Sequence, residues 1–330
     1  MPSKPRSIDF LAIGESLRDV FYLMHEATVQ CTIDESSCLL CLKYSEKIPV
    51  EQVVKVPAAG NSVNAAVCAS RLGLSSALIT WIGDDAAGVN IQEHLEQEGV
   101  DTKLVMTDKK HPTSESTILN FQGEKTQLVY FQPRSYVLPK LPQARAIYYS
   151  AMGKKHQALD QKLSAYLQAH PKMFFAFQPG TTHVAEGLTP LFKRLISRSD
   201  LFILNREEAS SLLRDGDDVL PRLEAFHRIG AKRVIITDGK NGAHGSDGER
   251  IWFMPTFPSK LLETTGAGDS FASTAAAMLL KGTSFEEAMR AGAGMAASVV
   301  EHVGPQKGLL KEKDLQKRLN KHKSIKPNLV

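Results

Sequence analysis

Short apolar runs alternate with amphipathic stretches along most of the chain. The apolar runs at residues 8–13, 74–83, 146–152, 173–179, 201–205 and 233–239 have the length and composition of buried strands. Helical spacing is found at 62–72, 87–98, 157–169, 188–198, 207–213 and 219–229, and two Ala-rich helices are expected within 266–282 and 285–304. This alternation predicts an α/β fold, a three-layer α/β/α domain around a central, mostly parallel sheet.

Two stretches interrupt the alternation, at about 20–56 and 116–131. Both are rich in strand-like segments, and the second has a hairpin signal at Gln122-Gly123-Glu124. We interpret them as two insertions that form a small sheet projecting from the main domain. The sequence has no internal repeat and no flexible interdomain linker, so residues 1–330 are expected to form a single domain.

Composition narrows the class of protein. The chain has 330 residues, of which 42% are hydrophobic and 23% charged, and its formal net charge is +4. These values are typical of a globular protein, and the scattered basic residues do not indicate nucleic-acid binding. No apolar run is long enough to span a membrane, and the first residues lack the apolar segment of a secretion signal. The expected location is the cytoplasm.

Three of the four cysteines lie close together, at Cys31, Cys38 and Cys41. Cys38 and Cys41 have the CxxC spacing of a metal or redox pair. The surrounding SSCLLCLKY segment is typical of a strand, however, where residues three apart point to opposite faces. We therefore interpret the cysteines as structural thiols, and expect them to be reduced.

Polar residues and glycines follow several of the predicted strands. In an open parallel sheet, ligands bind beyond the carboxyl ends of the strands, where such residues come together. The candidates that fall on this rim are Asp19, Asn205, Glu208, Thr237, Gly239, Gly242 and Asp269.

The segment TTGAGDSF at residues 264–271 has the pattern of an anion site. The chain has neither a GxxxxGK[ST] loop nor a GxGxxG loop, so a phosphate site must use another turn. Gly266-Ala267-Gly268 precedes a predicted helix, where the amides of Ala267, Gly268 and Asp269 would face an anion. Asp269 is either an N-cap or a base that accepts a proton from a substrate hydroxyl.

Four motifs in this order resemble the ribokinase/PfkB family of carbohydrate kinases. They are AAGNSVNAAVCASRLG with WIGDDAAG (58–73 and 81–88), NREE (205–208), TDGKNGA (237–243) and TTGAGDSF. The resemblance covers nearly the whole chain, and it implies a ribokinase-like fold with a small β-sheet lid formed by the two insertions. The implied activity is transfer of the γ-phosphoryl group of Mg-ATP to a hydroxyl of a ribose- or fructose-like sugar.

The resemblance also assigns roles to individual residues. Asp269 would be the general base and Gly266-Ala267-Gly268 the anion hole. The sugar would be bound by Asp19, Gly60, Asn61 and Asn64. The nucleotide would be bordered by Asn205, Thr237, Gly239, Gly242 and Thr265, and Mg²⁺ would be organised through water by Glu208 and Asn205. Asn205 and Glu208 have an alternative interpretation as the capping pair of the helix that they open.

Three positions depart from the family pattern. Ala59-Gly60 stands where Gly-Gly is usual, so a methyl group is expected to narrow the sugar site. Glu263 replaces an Asp that helps to bind a monovalent cation in ribokinase-like members, which leaves activation by K⁺ open. Gln178 stands where many members have Asn.

Other functions remain open from the sequence. A nucleoside kinase would stack a base on aromatic lid residues such as Phe21, Tyr22 and Tyr44, although these also suit the lid core or a dimer contact. A sugar-phosphate kinase would need cations near the sugar, for which Lys43 and Arg134 are candidates. A sensor without catalysis would not need Asp269. By analogy with ribokinase-like proteins, a homodimer through the lid is expected.

Overall fold

A computed structural model describes residues 7–32, 38–213 and 218–330. The strands, in chain order, are β1 (Ile8–Ile13), β2 (Leu17–Met24), β3 (Thr28–Cys31), β4 (Cys38–Cys41), β5 (Gln52–Ala59), β6 (Ser76–Gly83), β7 (Val105–Asp108), β8 (Ser114–Phe121), β9 (Glu124–Tyr130), β10 (Ala144–Tyr149), β11 (Phe174–Phe177), β12 (Leu201–Asn205), β13 (Val234–Thr237), β14 (Ala243–Ser246), β15 (Ile251–Met254) and β16 (Asn328–Leu329). The helices are α1 (Asn61–Arg71), α2 (Ala86–Gln97), α3 (Gln157–Ala169), α4 (Thr181–Ala185), α5 (Pro190–Arg198), α6 (Arg206–Leu213), α7 (Val219–Ile229), α8 (Ala267–Leu280), α9 (Phe285–Val299) and α10 (Glu312–Lys321).

Ten strands form the central sheet, in the order β16-β15-β14-β13-β12-β11-β10-β1-β6-β7. All neighbours from β7 to β13 pair in parallel, whereas β13 to β16 pair antiparallel. The prediction of a mostly parallel sheet is confirmed. Its consequence for function is that β1, β10, β11, β12 and β13 all end at one edge, where the chain turns into loops and helix starts.

Two hydrophobic clusters cover the two faces of this sheet, which gives the three layers. Alternate residues of one strand enter different clusters, as period-2 geometry requires: Phe10 packs on one face, and Leu11 on the other. Helices α1, α2, α8, α9 and α10 contribute to the first cluster. Helices α3, α5, α6 and α7 contribute to the second. Tyr148 and Tyr149 of β10 likewise point to opposite faces, a separation that matters for the sites described below.

A second sheet of four strands, in the order β5-β2-β8-β9, forms the lid sheet. β2 pairs antiparallel with β5 but parallel with β8, and β8 pairs antiparallel with β9. β8 alternates buried and half-buried residues, whereas every residue of β9 is exposed. The lid sheet draws strands from both sequence insertions, and β2 follows directly after the central strand β1, so the lid lies beside the functional edge of the main sheet.

The β3–β4 hairpin corrects the prediction for the cysteines. Cys31 and Cys38 are paired residues of this two-stranded sheet and form a disulfide, although reduced thiols were expected. Residues directly opposite each other in an antiparallel pair have Cβ atoms close enough for a disulfide. The CxxC spacing of Cys38 and Cys41 does not indicate this pairing with Cys31. Cys41 and Cys68 are free.

Most predicted helices agree with the structure to within one or two residues. The exception is the Ala-rich helix expected within 285–304, which ends at Val299. The predicted helix at 188–198 begins at Pro190, where the Thr189 side chain caps it, and the separate short helix α4 precedes it. Within the described ranges, none of the helices combines the length and the apolar character needed to cross a bilayer.

Candidate active site

The start of α8 provides free backbone amides at the functional edge. Gly266 precedes the helix with a φ of 80°, and a Cβ at this position would lie 2.4 Å from Cβ of Pro305, so only glycine fits. The earliest helical bond joins the Ser270 amide to the Gly266 carbonyl (2.8 Å), which leaves the Gly268 and Asp269 amides without a helical acceptor. The Ala267 amide, predicted to be free as well, donates to the Thr264 carbonyl at 3.3 Å.

Asp269 is held by two side-chain amides from other elements. Its Oδ2 accepts from Nδ2 of Asn64 (2.8 Å), and its Oδ1 accepts from Nε2 of Gln178 (3.1 Å). Asn64 lies on α1, and Gln178 directly follows β11. The N-cap position itself is occupied by Gly266. The carboxylate is therefore oriented by the site and not by its own helix, which disfavours the capping interpretation.

The surroundings of Asp269 raise its pKa. Burial in the protein is the main cause, and it is opposed by the hydrogen bond from Asn64, the positive charge of Lys125 and the hydrogen bond from Gln178. A raised pKa makes a carboxylate a stronger base, and this is a property of catalytic carboxylates.

A chain of hydrogen bonds extends from Asp269 in both directions. On one side the Tyr148 hydroxyl donates to Oε1 of Gln178, which turns the Gln178 amide group towards Asp269. On the other side, Nε2 of Gln306 donates to Oδ1 of Asn64 (2.9 Å), which turns the Asn64 amide towards Asp269. Both neighbours of the carboxylate are thus fixed in the donor orientation.

Asp19 lies in β2 of the lid sheet, with 2% of its surface exposed. Its Oδ1 accepts from the Ser116 hydroxyl (2.5 Å), and Nε2 of Gln127 donates to the same hydroxyl (2.9 Å). Burial raises the pKa of Asp19 to about 7, against the hydrogen bond from Ser116 and the charge of Lys125, while the negative charge of Asp269 raises it further. Asp19 and Asp269 are therefore close enough to influence each other.

Gly60 and Asn61 start α1, which carries Asn64. Gly60 has a φ of 115°, and a Cβ there would lie 2.6 Å from the carbonyl oxygen of Glu15. Its carbonyl accepts from the Asn64 amide (2.9 Å). Asn61 is half-buried at the first helical position. Ala59, which departs from the family pattern, is fully buried at the end of β5.

Asn205 and Glu208 form the capping pair that the sequence left as an alternative. Oδ1 of Asn205 accepts from the Glu208 amide (2.7 Å), and Oε2 of Glu208 accepts from the Asn205 amide (2.9 Å). Burial raises the pKa of Glu208 to about 7, the Asn205 hydrogen bond opposes this, and the charge of Asp269 adds to it. The pair thus starts α6 and also lies within electrostatic range of Asp269.

The remaining nucleotide candidates lie on the same edge. Thr237 ends β13 directly beside Asn205 of β12. Gly239 and Gly242 bound the turn after it, with φ values of 49° and 95°. Thr265 is buried before α8, and its amide donates to Oε1 of Glu263 (2.6 Å).

Family comparison decides between the classes of protein that such a site suits. The model of the pfkB family carbohydrate kinases matches residues 26–312. The chain belongs to the pfkB family of carbohydrate kinases. It is therefore a phosphotransferase that acts on an alcohol group. The family resemblance and the enzyme class predicted from the sequence are confirmed.

Individual relatives of this kinase support the same class. It is 28% identical over 262 residues to fructoselysine 6-kinase of Shigella flexneri, covering 77% of this chain and 93% of the relative. It is 26% identical over 257 residues to a ribokinase of Haemophilus influenzae, covering 76% and 83% of the two chains. In structure it resembles Arabidopsis thaliana ribokinase, which was solved with ribose and ATP. The TM-score is 0.78 at 20% identity, and the match covers 95% of this chain and 99% of the other. This likeness confirms the ribokinase-like fold.

Several residues that contact Asp269, Asn64 or Asp19, or act on them electrostatically, were not predicted. Gln178 was noted only as a departure, and Gln306, Ser116 and Lys125 were not selected at all. Gln306 follows α9 and reaches Asn64 across 242 positions of sequence, so no local pattern marks it. Ser116 of β8 lies opposite Asp19 of β2, and only the pairing of these two strands reveals this relation.

The residues predicted to bind a sugar phosphate or a nucleoside differ in their burial and contacts. Arg134 is buried and its guanidinium contacts Asp108 (3.0 Å) and Glu15 (3.5 Å), so it is not available as a phosphate ligand. Phe21 is fully buried in the lid, and Tyr44 is 98% exposed.

Proposed function

We propose that this kinase transfers the γ-phosphoryl group of ATP to a hydroxyl of a ribose- or fructose-like sugar, with Asp269 as general base. The observation that carries the proposal is the position of Asp269. Its carboxylate is fixed by Asn64 and Gln178. It lies at the start of a helix whose Gly268 and Asp269 amides have no helical acceptor, so a base and an anion site are adjacent.

The reaction uses these groups in one displacement. Asp269 accepts the proton of the sugar hydroxyl as the hydroxyl oxygen forms its bond to the γ-phosphorus of ATP. The bond from that phosphorus to the β–γ bridging oxygen breaks, and ADP leaves with the electron pair. The Gly266-Ala267-Gly268 turn is the anion hole, in which the Gly268 and Asp269 amides contribute hydrogen bonds to the developing charge.

Glu208 and Asn205 fit the organisation of Mg²⁺ through water. Oε2 of Glu208 accepts from the Asn205 amide, so the helix cap uses only one of the two carboxylate oxygens. When bound, the ion neutralises phosphate charge. Thr237, Gly239, Gly242 and Thr265 border the nucleotide in this proposal, because they lie on the same edge as Asn205 and the start of α8.

Asp19 is the proposed anchor of the sugar, together with Gly60, Asn61 and Asn64. A buried carboxylate can accept two substrate hydroxyl groups, and binding them compensates for the burial that raises its pKa. Because Asp19 lies in the lid sheet, a sugar bound to Asp19 would hold the lid closed over the active site. This excludes water from the γ-phosphate and limits hydrolysis of ATP.

A sugar carrying a negative group is the second candidate. The positive charge of Lys125 on β9 opposes the rise in pKa of both Asp19 and Asp269, so it acts on both carboxylates of the proposed acceptor site. A carboxylate or phosphate on the acceptor would pair with Lys125, the role that was predicted for Lys43 and Arg134. The aromatic residues offered for a nucleoside lack a comparable position.

We further propose a homodimer formed through the lid. β9 is an edge strand with all seven residues exposed, including Leu128, Val129 and Tyr130. An exposed apolar edge strand is favourable for pairing with a second copy of the sheet. Light scattering should give a dimer mass, and Leu128→Lys should give a monomer. A monomeric wild-type protein at micromolar concentration would contradict this.

The test of the function is ADP release from Mg-ATP against a panel of acceptors. The panel holds ribose, fructose, fructoselysine, a sugar acid, a sugar phosphate and two nucleosides, with a reaction lacking acceptor as the control. We expect turnover with a neutral or acidic sugar. Turnover with nucleosides alone would replace the sugar by a nucleoside, and no turnover above the control would contradict the proposal.

A further inference from the structure

A buried cluster of His156, Asp160 and His183 lies next to the active site, on the opposite face of the central sheet. His156 directly precedes α3, Asp160 is in the first turn of that helix, and His183 belongs to α4. Their side chains are 1%, 4% and 1% exposed. The proposed phosphoryl transfer uses none of them, so their burial needs a different explanation.

The three side chains face one point. Oδ2 of Asp160 lies 2.9 Å from Nδ1 of His156 and 3.3 Å from Nε2 of His183. One ligand atom from each residue lies within 4.8 Å of the other two. A tetrahedral Zn²⁺ with bonds of about 2.0–2.1 Å holds its ligand atoms about 3.3 Å apart. The three donor atoms are therefore spaced as ligands of one ion require, within small shifts.

Hydrogen bonding within the protein does not account for His183. Neither of its ring nitrogens has a hydrogen-bond partner of acceptable geometry among the described residues, and Nε2 of His156 has none either. A buried imidazole without partners is unfavourable, because its polar atoms have lost water and gained nothing in return. A metal ion bound at the Nε2 lone pair of His183 would satisfy that nitrogen and leave only Nδ1 of the ring without a partner.

The residues around the cluster resemble the outer shell of a metal site. The Tyr149 hydroxyl donates to Oδ1 of Asp160, which leaves Oδ2 for the common point. Oε1 of Glu186 lies 3.4 Å from Nε2 of His156, the ring nitrogen turned away from Asp160. Metal-binding histidines commonly present their second nitrogen to a carboxylate. Glu186 is the carboxylate that faces Nε2 of His156, although the contact is not a well-formed hydrogen bond.

We propose that His156, Asp160 and His183 bind one divalent transition-metal ion, with Zn²⁺ as the expected ion. The ligand atoms are Nδ1 of His156, Oδ2 of Asp160 and Nε2 of His183, and water takes the fourth position. Binding releases the proton between His156 and Asp160, since a ligand nitrogen must be unprotonated. The ion would join the start of α3 to α4. Its ligand His183 lies five residues after Gln178, which orients Asp269.

The test uses the full chain without a polyhistidine tag, stripped with a chelator and titrated with Co²⁺ and then Zn²⁺. We expect one equivalent of Co²⁺ to give the visible absorption of a tetrahedral site, and Zn²⁺ to bleach it. His183→Gln should weaken binding by at least about 10²-fold. Asp160→Asn is a second variant, and circular dichroism of each variant checks that it has folded.

Two controls separate this cluster from other binders. His170→Gln makes the same change at an exposed histidine at the end of α3, and should bind Co²⁺ as the wild type does. Glu208→Gln removes the carboxylate proposed for Mg²⁺, and should also leave the absorption unchanged. Absence of the absorption in the stripped wild-type protein would overturn the proposal, as would equal Co²⁺ affinity in a folded His183→Gln variant.

Discussion

Gln178 offers a sharp test of how the site controls its base. Its Nε2 donates to Oδ1 of Asp269 at 3.1 Å, and its Oε1 accepts from Tyr148. Gln178→Met keeps the length of the side chain and removes the donor. The ionised form of Asp269 then loses one of its two hydrogen bonds, whereas the protonated form loses little.

The size of the effect follows from that single bond. A hydrogen bond to a charged group contributes about 1.5–3 kcal/mol. One pKa unit corresponds to about 1.4 kcal/mol, so the pKa of Asp269 should rise by about 1–2 units in the variant. A protonated base cannot accept the hydroxyl proton, so activity is lost as the pH falls through this pKa. The acidic limb of the rate profile must therefore move to higher pH.

The assay is the pH dependence of kcat/KM, which reports groups of the free enzyme, with the acceptor identified by the panel. Tyr148→Phe is the matched control, because it removes the hydroxyl behind Gln178 and leaves the bond to Asp269 in place. We expect the acidic limb to move by about 1–2 units in Gln178→Met and much less in Tyr148→Phe. Equal shifts in the two variants, or a shift to lower pH, would refute the reasoning.

Three further perturbations follow from the site. Asp19→Asn removes a carboxyl whose pKa is about 7 in the fold and about 4 in the unfolded chain. Between these pH values the folded wild type binds more protons than the unfolded chain, so its free energy of unfolding should fall as the pH rises from 4 to 7. The fall should be smaller in the variant, and urea titrations at both pH values measure the difference. Gly60→Ala should cost about 2 kcal/mol or more in urea unfolding, because of its φ of 115° and the contact with Glu15, whereas Gly268→Ala meets no neighbour within 4 Å and should cost little. Glu208→Gln keeps the helix cap but removes the charge, so half-maximal rate should need about 10-fold more Mg²⁺, and an unchanged requirement would exclude Glu208 from the metal site.

Periodicity predicted the layers and the edge of the sheet well, because both depend on local sequence. Apolar runs separated by amphipathic helices specify parallel strands, and parallel strands end together. The helix start that carries Asp269 was predicted for the same reason, since a Gly-Ala-Gly turn before a helix is a local signal. The disulfide between Cys31 and Cys38 was missed because it depends on strand register, which spacing alone did not supply.

The orientation of the site could not be predicted, because it depends on contacts between distant segments. Gln306 and Asn64 are 242 positions apart in the sequence, and Gln178 and Asp269 are 91 positions apart. A glutamine has no periodic signature, and its role appears only when the fold brings a carboxylate to it. The sequence left both the capping and the metal interpretation of Glu208 open. The structure shows the capping bonds, which use Oε2 of Glu208, and the metal role stays a prediction.

The central claim is that Asp269 acts as the base of a sugar kinase. The most direct measurement is ADP formation by Asp269→Asn with the acceptor found by the panel, beside Asp314→Asn as an exposed control on α10. ATP binding is measured for both variants. The account predicts that Asp269→Asn binds ATP normally but loses at least about 10²-fold in kcat, while Asp314→Asn keeps the wild-type rate. A kcat within a few-fold of the wild type in Asp269→Asn would contradict it.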